Sequence, residues 1–306
     1  VLASYTSSAQ ATTTFVDAFS LVGQENDVTG FSFNDDGSKM FVVGGSGDDV
    51  NEYTLAQAYD VSTAVFVDSF DISGFVTDAE AITFNAQGDT MYVVEEIGNQ
   101  VIEFNLTTDF DVSETIVPPL NVLDLAPDGV TRPTGIAFNN DGSKMFIADR
   151  GTSDIFEYGL GAVFDTSTAV LIQSFDVGVQ DSNPTGVTFN INGSKMFVVG
   201  VDNNNVYEYA LTTGFDVSTA SFTDSFDVES QDTEPRSVEF NAAGSKMFVL
   251  GNTSSNINEY TLSVAFDIVV PDTTNPTLSS SVPADDATDV SRSANIVLTF
   301  SEIVDV

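Results

Sequence analysis

The stretch Pro184-Thr-Gly-Val-Thr-Phe-Asn, continued by Asn192-Gly-Ser-Lys-Met-Phe-Val-Val-Gly, Val206-Tyr-Glu-Tyr-Ala-Leu and Phe215-Asp-Val-Ser-Thr-Ala, decides the fold, because the chain writes it five times. Anchored on the Phe of its first run, the copies start at Phe33, Phe84, Phe138, Phe189 and Phe240, in steps of 51, 54, 51 and 51 residues. A fixed period of this length is the mark of a repeat architecture. Each copy holds short runs rich in Phe, Tyr, Val and Ile, separated by turn residues. The first two runs are joined by Asn-x-x-Gly, with Gly37, Gly88, Gly142, Gly193 and Gly244 supplying the positive φ of a tight hairpin. The third run, such as Val206 to Leu211, and the fourth, such as Phe66-Val-Asp-Ser-Phe70, alternate apolar and polar residues as half-buried strands do. No stretch of ten residues has helical periodicity, so the chain is all-β.

Four antiparallel strands repeated every 40 to 50 residues or so form the blade of a β-propeller. A solenoid needs a shorter unit, and a sandwich does not repeat its sequence. The fifth copy lacks its fourth run: after Ile257 to Leu262, Phe266-Asp-Ile leads into Pro271. The missing pattern stands at the other end of the chain as Phe15-Val-Asp-Ala-Phe19. An N-terminal strand that completes the last blade removes an open edge, which is an aggregation liability. The expectation is a five-bladed propeller over residues 1–270, closed by its N-terminal strand, with a different segment at 271–306.

The chain has 46 acidic and 8 basic residues, a net charge of −38. Such a polyanion repels nucleic acid and anionic membrane surfaces, since binding to either depends on neutralising their charge. No apolar run approaches the ~20 residues of a membrane helix, so no membrane insertion is expected. The charge suits a salty, calcium-rich exterior. All four lysines, Lys39, Lys144, Lys195 and Lys246, hold one position in the first hairpin, where the second copy has Thr90.

From Pro271 the text changes. Asp-Thr-Thr-Asn-Pro-Thr-Leu, Pro-Ala-Asp-Asp-Ala-Thr-Asp-Val and Asn295-Ile-Val-Leu-Thr-Phe-Ser-Glu resemble the opening of a bacterial immunoglobulin-like domain, of the kind strung along surface adhesins. Pro276 to Val282 and Asn295 to Ile303 are the candidate strands. A sandwich of this type needs about 100 residues. The expectation is therefore that a domain continues past Val306, or that these strands pair with something else. The five copies, through Pro-x-Gly-x-x-Phe-x-x-x-Gly-Ser-Lys-Met-Phe-Val-Val, resemble the repeats of secreted and surface-associated bacterial propellers. That resemblance implies an extracellular or cell-surface setting rather than one activity.

With no His and no Cys, the chain has no Ser-His-Asp or Cys-His nucleophile, no His-ligated zinc and no redox thiol. Any enzyme here works with carboxylates, Arg, Tyr or an oxygen-bound metal. The recurrent Asp60, Asp111, Asp165, Asp216 and Asp267 are expected to cap their own turns. Asp48-Asp49, Gln180-Asp181 and Gln231-Asp232 are the loop candidates for calcium, the one cofactor considered.

In a repeat protein the signal lies where symmetry breaks. The residues just before the innermost strands are Thr29, Glu80, Thr134, Thr185 and Arg236; those closing the second strands are Gly44, Glu95, Asp149, Gly200 and Gly251. Glu96 and Arg150 follow directly, and Arg132 sits in a loop that is three residues longer than its counterparts. Glu80, Glu95, Glu96, Arg132, Asp149, Arg150 and Arg236 are thus expected around one mouth of the central channel, where polar groups converge on ligands. Because near-identical blades suit a scaffold, the leading expectation is a non-enzymatic extracellular module binding carbohydrate, protein or copies of itself. The alternative is a glycosidase or lactonase using carboxylates at the mouth.

Overall fold

The computed structural model describes residues 12–45, 47–268, 278–283, 288 and 297–300. Five four-stranded antiparallel sheets surround a central channel. Their inner strands are Val28–Phe33, Ala79–Phe84, Pro133–Phe138, Pro184–Phe189 and Pro235–Phe240. The ring is closed as the repeat count requires: Thr13–Ser20 is the outer strand of the fifth blade and pairs antiparallel with Asn256–Leu262, from Thr13 opposite Leu262 to Ser20 opposite Asn256. The outer strand of the second blade is reduced to Asn121–Asp124. The three extra residues of that repeat do not all enter the Arg132 loop. Two fall between Asp111 and Asp124, ahead of the short strand, and one lies in the turn around Ala126–Asp128. In the tail, Leu278–Val282 and Val297–Phe300 pair with each other in a two-stranded sheet; the rest of the two candidate strands lies outside the described residues. No helix among the described residues is long and apolar enough to cross a membrane.

The hairpin glycines have two reasons to be glycine. Gly37 to Gly244 have φ of +67° to +79°. A Cβ on Gly193 would also lie 2.3 Å from the ring of Phe215, which lies over the turn. Three of the recurrent aspartates cap as expected, with Asp111, Asp165 and Asp216 accepting the backbone N–H two residues on. Asp60 instead takes the hydroxyl of Ser62, at 2.6 Å.

The repeat sequence also writes the joints between blades. The Phe of Met-Phe-Val packs on the anchor Phe of the next blade, with ring centroids 4.4 Å apart for Phe41–Phe84, Phe146–Phe189 and Phe197–Phe240. Phe248–Phe33 closes the ring at 4.8 Å. Beneath each pair lies a polar lock. Lys39 Nζ binds Glu52 at 2.8 Å and donates to the carbonyl of Phe110 in the next blade, while Glu52 accepts the N–H of Val112 there. Lys144–Glu157, Lys195–Glu208 and Lys246–Glu259 repeat it. The second blade has no lysine and substitutes Tyr92, whose hydroxyl donates to the corresponding carbonyl, of Phe164, at 2.5 Å. There Glu103 keeps only Thr166, and burial raises its pKa. Replacing Glu259 with Ala would leave Lys246 without its anion and the Val61 N–H without its acceptor across the closing joint. The expected cost is about 3 kcal/mol, measured by urea unfolding.

At mid-height the inner strands touch. A Cβ on Gly30 would sit 2.6 Å from Ala81 Cα, one on Gly135 2.9 Å from Gly186 Cα, and one on Gly186 3.1 Å from Ser237 Cα. The inner strands therefore pack most tightly at this waist, between an upper and a lower mouth of the channel.

Candidate functional site

The upper mouth is built by the starts of the inner strands and the ends of their hairpin partners. Of the seven residues expected there, the structure brings together Glu80, Glu96, Arg132 and Arg150. Arg150 Nη2 lies 3.3 Å from Glu80 Oε1 and also contacts Glu96 Oε2. Arg132 Nε binds Glu96 Oε1 at 2.8 Å. The Arg132 side chain is 54% exposed and the other three are buried or nearly so, which sets the cluster just inside the opening. Arg236 lies at its edge: its charge reaches Glu80, but its guanidinium is paired with Glu234 of its own blade.

Carboxyl oxygens of Glu80 and Glu96 lie within 4.8 Å of each other, bridged by Arg150, and their environments push them apart. Burial raises Glu80, Glu96 beside it raises it further, and Arg150 and Arg236 offset only part of this; its pKa rises to about 8. Burial would raise Glu96 too, but Glu80 beside it and the guanidinium groups of Arg132 and Arg150 outweigh it and hold the carboxylate below its usual range. One proton is thus shared by two carboxyls, with Glu80 the acid and Glu96 the base.

Glu95 and Asp149 stand at the same end of their blades, opposite Ala79 and Pro133, but their carboxylates do not join this cluster. Glu95 accepts the Thr77 hydroxyl at 2.7 Å and the N–H of Gly98. Asp149, fully buried, accepts the N–H of Thr131 and Arg132 and the Thr152 hydroxyl. Each ties down its own loop. In the other three blades the same work is done from the opposite strand of the turn. Glu25 accepts from Asn26, Asp27 and Gly47; Asp181 from Asn183, Asp202 and Asn203; Asp232 from Glu234, Thr253 and Ser254. These carboxyls sit where a Cβ on Gly44, Gly200 or Gly251 would be, 2.1–2.5 Å away. Where the strand end carries the acid, the loop position carries buried Val76 or Val130 instead. The exchange is reciprocal, so Glu95→Gly should destabilise the protein while Glu95→Gly combined with Val76→Asp should recover most of the loss. A coupling energy of about 1–3 kcal/mol in a double-mutant cycle of thermal melts is the expected outcome. Asp181 and Asp232, two of the calcium candidates, thus hold their own loops. Asp48 and Asp49 remain among acids: burial, and then Asp71 and Glu25, raise both.

Sequence reasoning missed Asp78, which with Glu80 and Glu96 forms a trio of carboxylate oxygens within 4.8 Å of one another. The corresponding column reads Asp27, Asp78, Arg132, Asn183 and Glu234, polar throughout, so nothing singled Asp78 out. The trio has metal-ligand spacing, but the Arg150 guanidinium already lies against two of its members and supplies the positive charge.

The described molecule is a five-bladed β-propeller with a buried acid–base carboxyl pair at one mouth. The model of the lactonase family, described as a 7-bladed β-propeller, matches residues 81–215, and that of a bacterial Ig-like domain matches residues 272–306. The lactonase match spans Glu96, Arg132 and Arg150. It overturns the expectation of a non-enzymatic binding module and favours the enzymatic alternative. The ring here has five blades, so the likeness is one of blade sequence and not of blade number. No curated protein sequence matches the chain significantly. Among solved structures, a protein from Lactobacillus plantarum is 16% identical over 65% of this chain and 55% of its own, with a TM-score of 0.45. A 6-phosphogluconolactonase candidate from Bacteroides uniformis is 13% identical over 80% and 68%, at 0.48. A luciferin-regenerating enzyme is 12% identical over 81% and 95%, also at 0.48.

Proposed function

We propose that the protein is a hydrolase of lactones, acting through Glu80 and Glu96 at the upper mouth. The observation that carries this reading is the buried cluster itself: Arg150 lies against both Glu80 and Glu96, and burial raises the one carboxyl while the guanidinium groups hold the other charged. The lactonase-family match supports the same class. A water held by Glu96 attacks the lactone carbonyl and gives its proton to Glu96. The Arg150 guanidinium, whose Nε is buried without a partner among the described residues, stabilises the oxyanion. As the ring C–O bond breaks, Glu80 protonates the departing alkoxide, and the proton on Glu96 returns to Glu80.

The Glu80 and Glu96 carboxylate oxygens lie within 4.8 Å of each other, closer than the roughly 6.5–9.5 Å that an inverting glycosidase needs between its acids. An extracellular setting belongs to the same reading, supported by the −38 charge and the Ig-like match. The test is a pH-stat assay over a panel of γ- and δ-lactones. Turnover of at least one, lost in Glu96→Gln, supports the reading; a panel left unhydrolysed, or hydrolysed equally by that variant, refutes it.

A further inference from the structure

Below the waist the channel opens into a second cavity of about 480 Å³, at the opposite end of the ring from the dyad. Each blade contributes the residue two beyond its waist position: Ser32, Thr83, Ala137, Thr188 and, in the fifth blade alone, Glu239. We propose that this cavity is a second binding site, independent of the dyad and of the lactonase reading, for a small organic cation of the ammonium type held by the Glu239 carboxylate.

Elimination carries the charge argument. Every basic side chain among the described residues is already paired: the four lysines with Glu52, Glu157, Glu208 and Glu259, Arg132 and Arg150 with Glu96, and Arg236 with Glu234. Among the described residues, Glu239 is thus an acid inside the channel with no cation paired to it, which a bound cation would correct. Burial raises its pKa to about 8, offset only by the N–H of Phe240. The rest of the lining suits an ammonium better than a metal. Hydroxyls of Ser32, Thr83 and Thr188 offer oxygens at the height of Glu239. Calcium takes 6–8 or so oxygen ligands, usually from several carboxylates; here only Asp35 joins Glu239 in the lining. The volume falls within the ~300–1,000 Å³ range of small-molecule pockets.

The test is a tetramethylammonium titration followed by NMR, with ethylammonium, tert-butanol and calcium as comparison probes, on the full chain and on Glu239→Gln and Glu239→Thr. The threonine variant copies blades two and four, so it should fold even if the glutamine does not. Saturable binding of the two ammonium ions is expected, weakened at least about tenfold in both variants, a loss of ~1.4 kcal/mol. Binding should strengthen as pH rises through 8, because Glu239 ionises while the neighbouring Tyr59, pushed up to about 12, stays neutral; burial and then Asp36 raise Asp35 beside it, while Ser38 lowers Asp36. Equal binding of tert-butanol, preference for calcium, undiminished affinity in the variants, or no saturable binding above pH 8 would each overturn the proposal.

Discussion

Replacing Glu96 with Gln is expected to lower kcat for lactone hydrolysis by about 10²–10⁴-fold with little change in KM, because the amide keeps the shape of the carboxylate but cannot take a proton. Glu80→Gln should cost a similar factor, since the amide cannot protonate the leaving oxygen. It should do so without lowering the melting temperature, because a neutral amide resembles the protonated carboxyl that the buried site already prefers. Glu95→Gln, by contrast, should leave kcat nearly unchanged, since Glu95 holds the Thr77–Gly98 turn and not the cluster. That contrast separates the two adjacent glutamates, which the sequence alone puts side by side. Steady-state kinetics on the three variants decides it.

Deleting residues 1–20 should have the largest effect on the fold. It strips the strand paired with Asn256–Leu262 and leaves that strand as an exposed edge. The closing joint between the fifth and first blades also loses packing, since Phe19 lies against Tyr53, with ring centroids 5.6 Å apart. Loss of a single cooperative melting transition, with aggregation on heating, is expected by calorimetry and light scattering. A deletion variant that melts like the intact chain would mean that the ring holds without its clasp.

Much of the fold was legible because the repeat states it repeatedly. Blade number, the hairpin glycines and the N-terminal clasp all follow from counting runs, since a ring must use every strand. The site was half legible. Comparing equivalent positions found Glu80, which replaces a Thr, and led to Glu96 and Arg150 beside the altered strand ends; the longer loop drew attention to Arg132. The same comparison also singled out Glu95 and Asp149, whose carboxylates serve their loops. Their departure from glycine is balanced by Val76 and Val130 in another column, and only the geometry of the turn shows that the two columns touch. Asp78 was hidden in a column that is polar in every blade. Glu239 lies at the lower end of the inner strand, where no second column at that end drew attention to it. The near-identity of the blades suggested a scaffold; the lactonase-family match and the carboxyl pair confined to one blade point the other way.

The most direct measurement is the pH dependence of kcat/KM for lactone hydrolysis by the intact protein and by Glu80→Gln. Activity needs Glu96 ionised and Glu80 protonated. The profile should therefore rise at acid pH as the pair loses its first proton, below the usual carboxylate range, and fall through about pH 8 as it loses the second. In Glu80→Gln the fall near pH 8 should vanish from whatever activity remains. A descending limb near pH 8 that survives in Glu80→Gln, or a profile flat from pH 5 to 9 in the intact protein, would contradict the shared-proton pair as the catalytic centre.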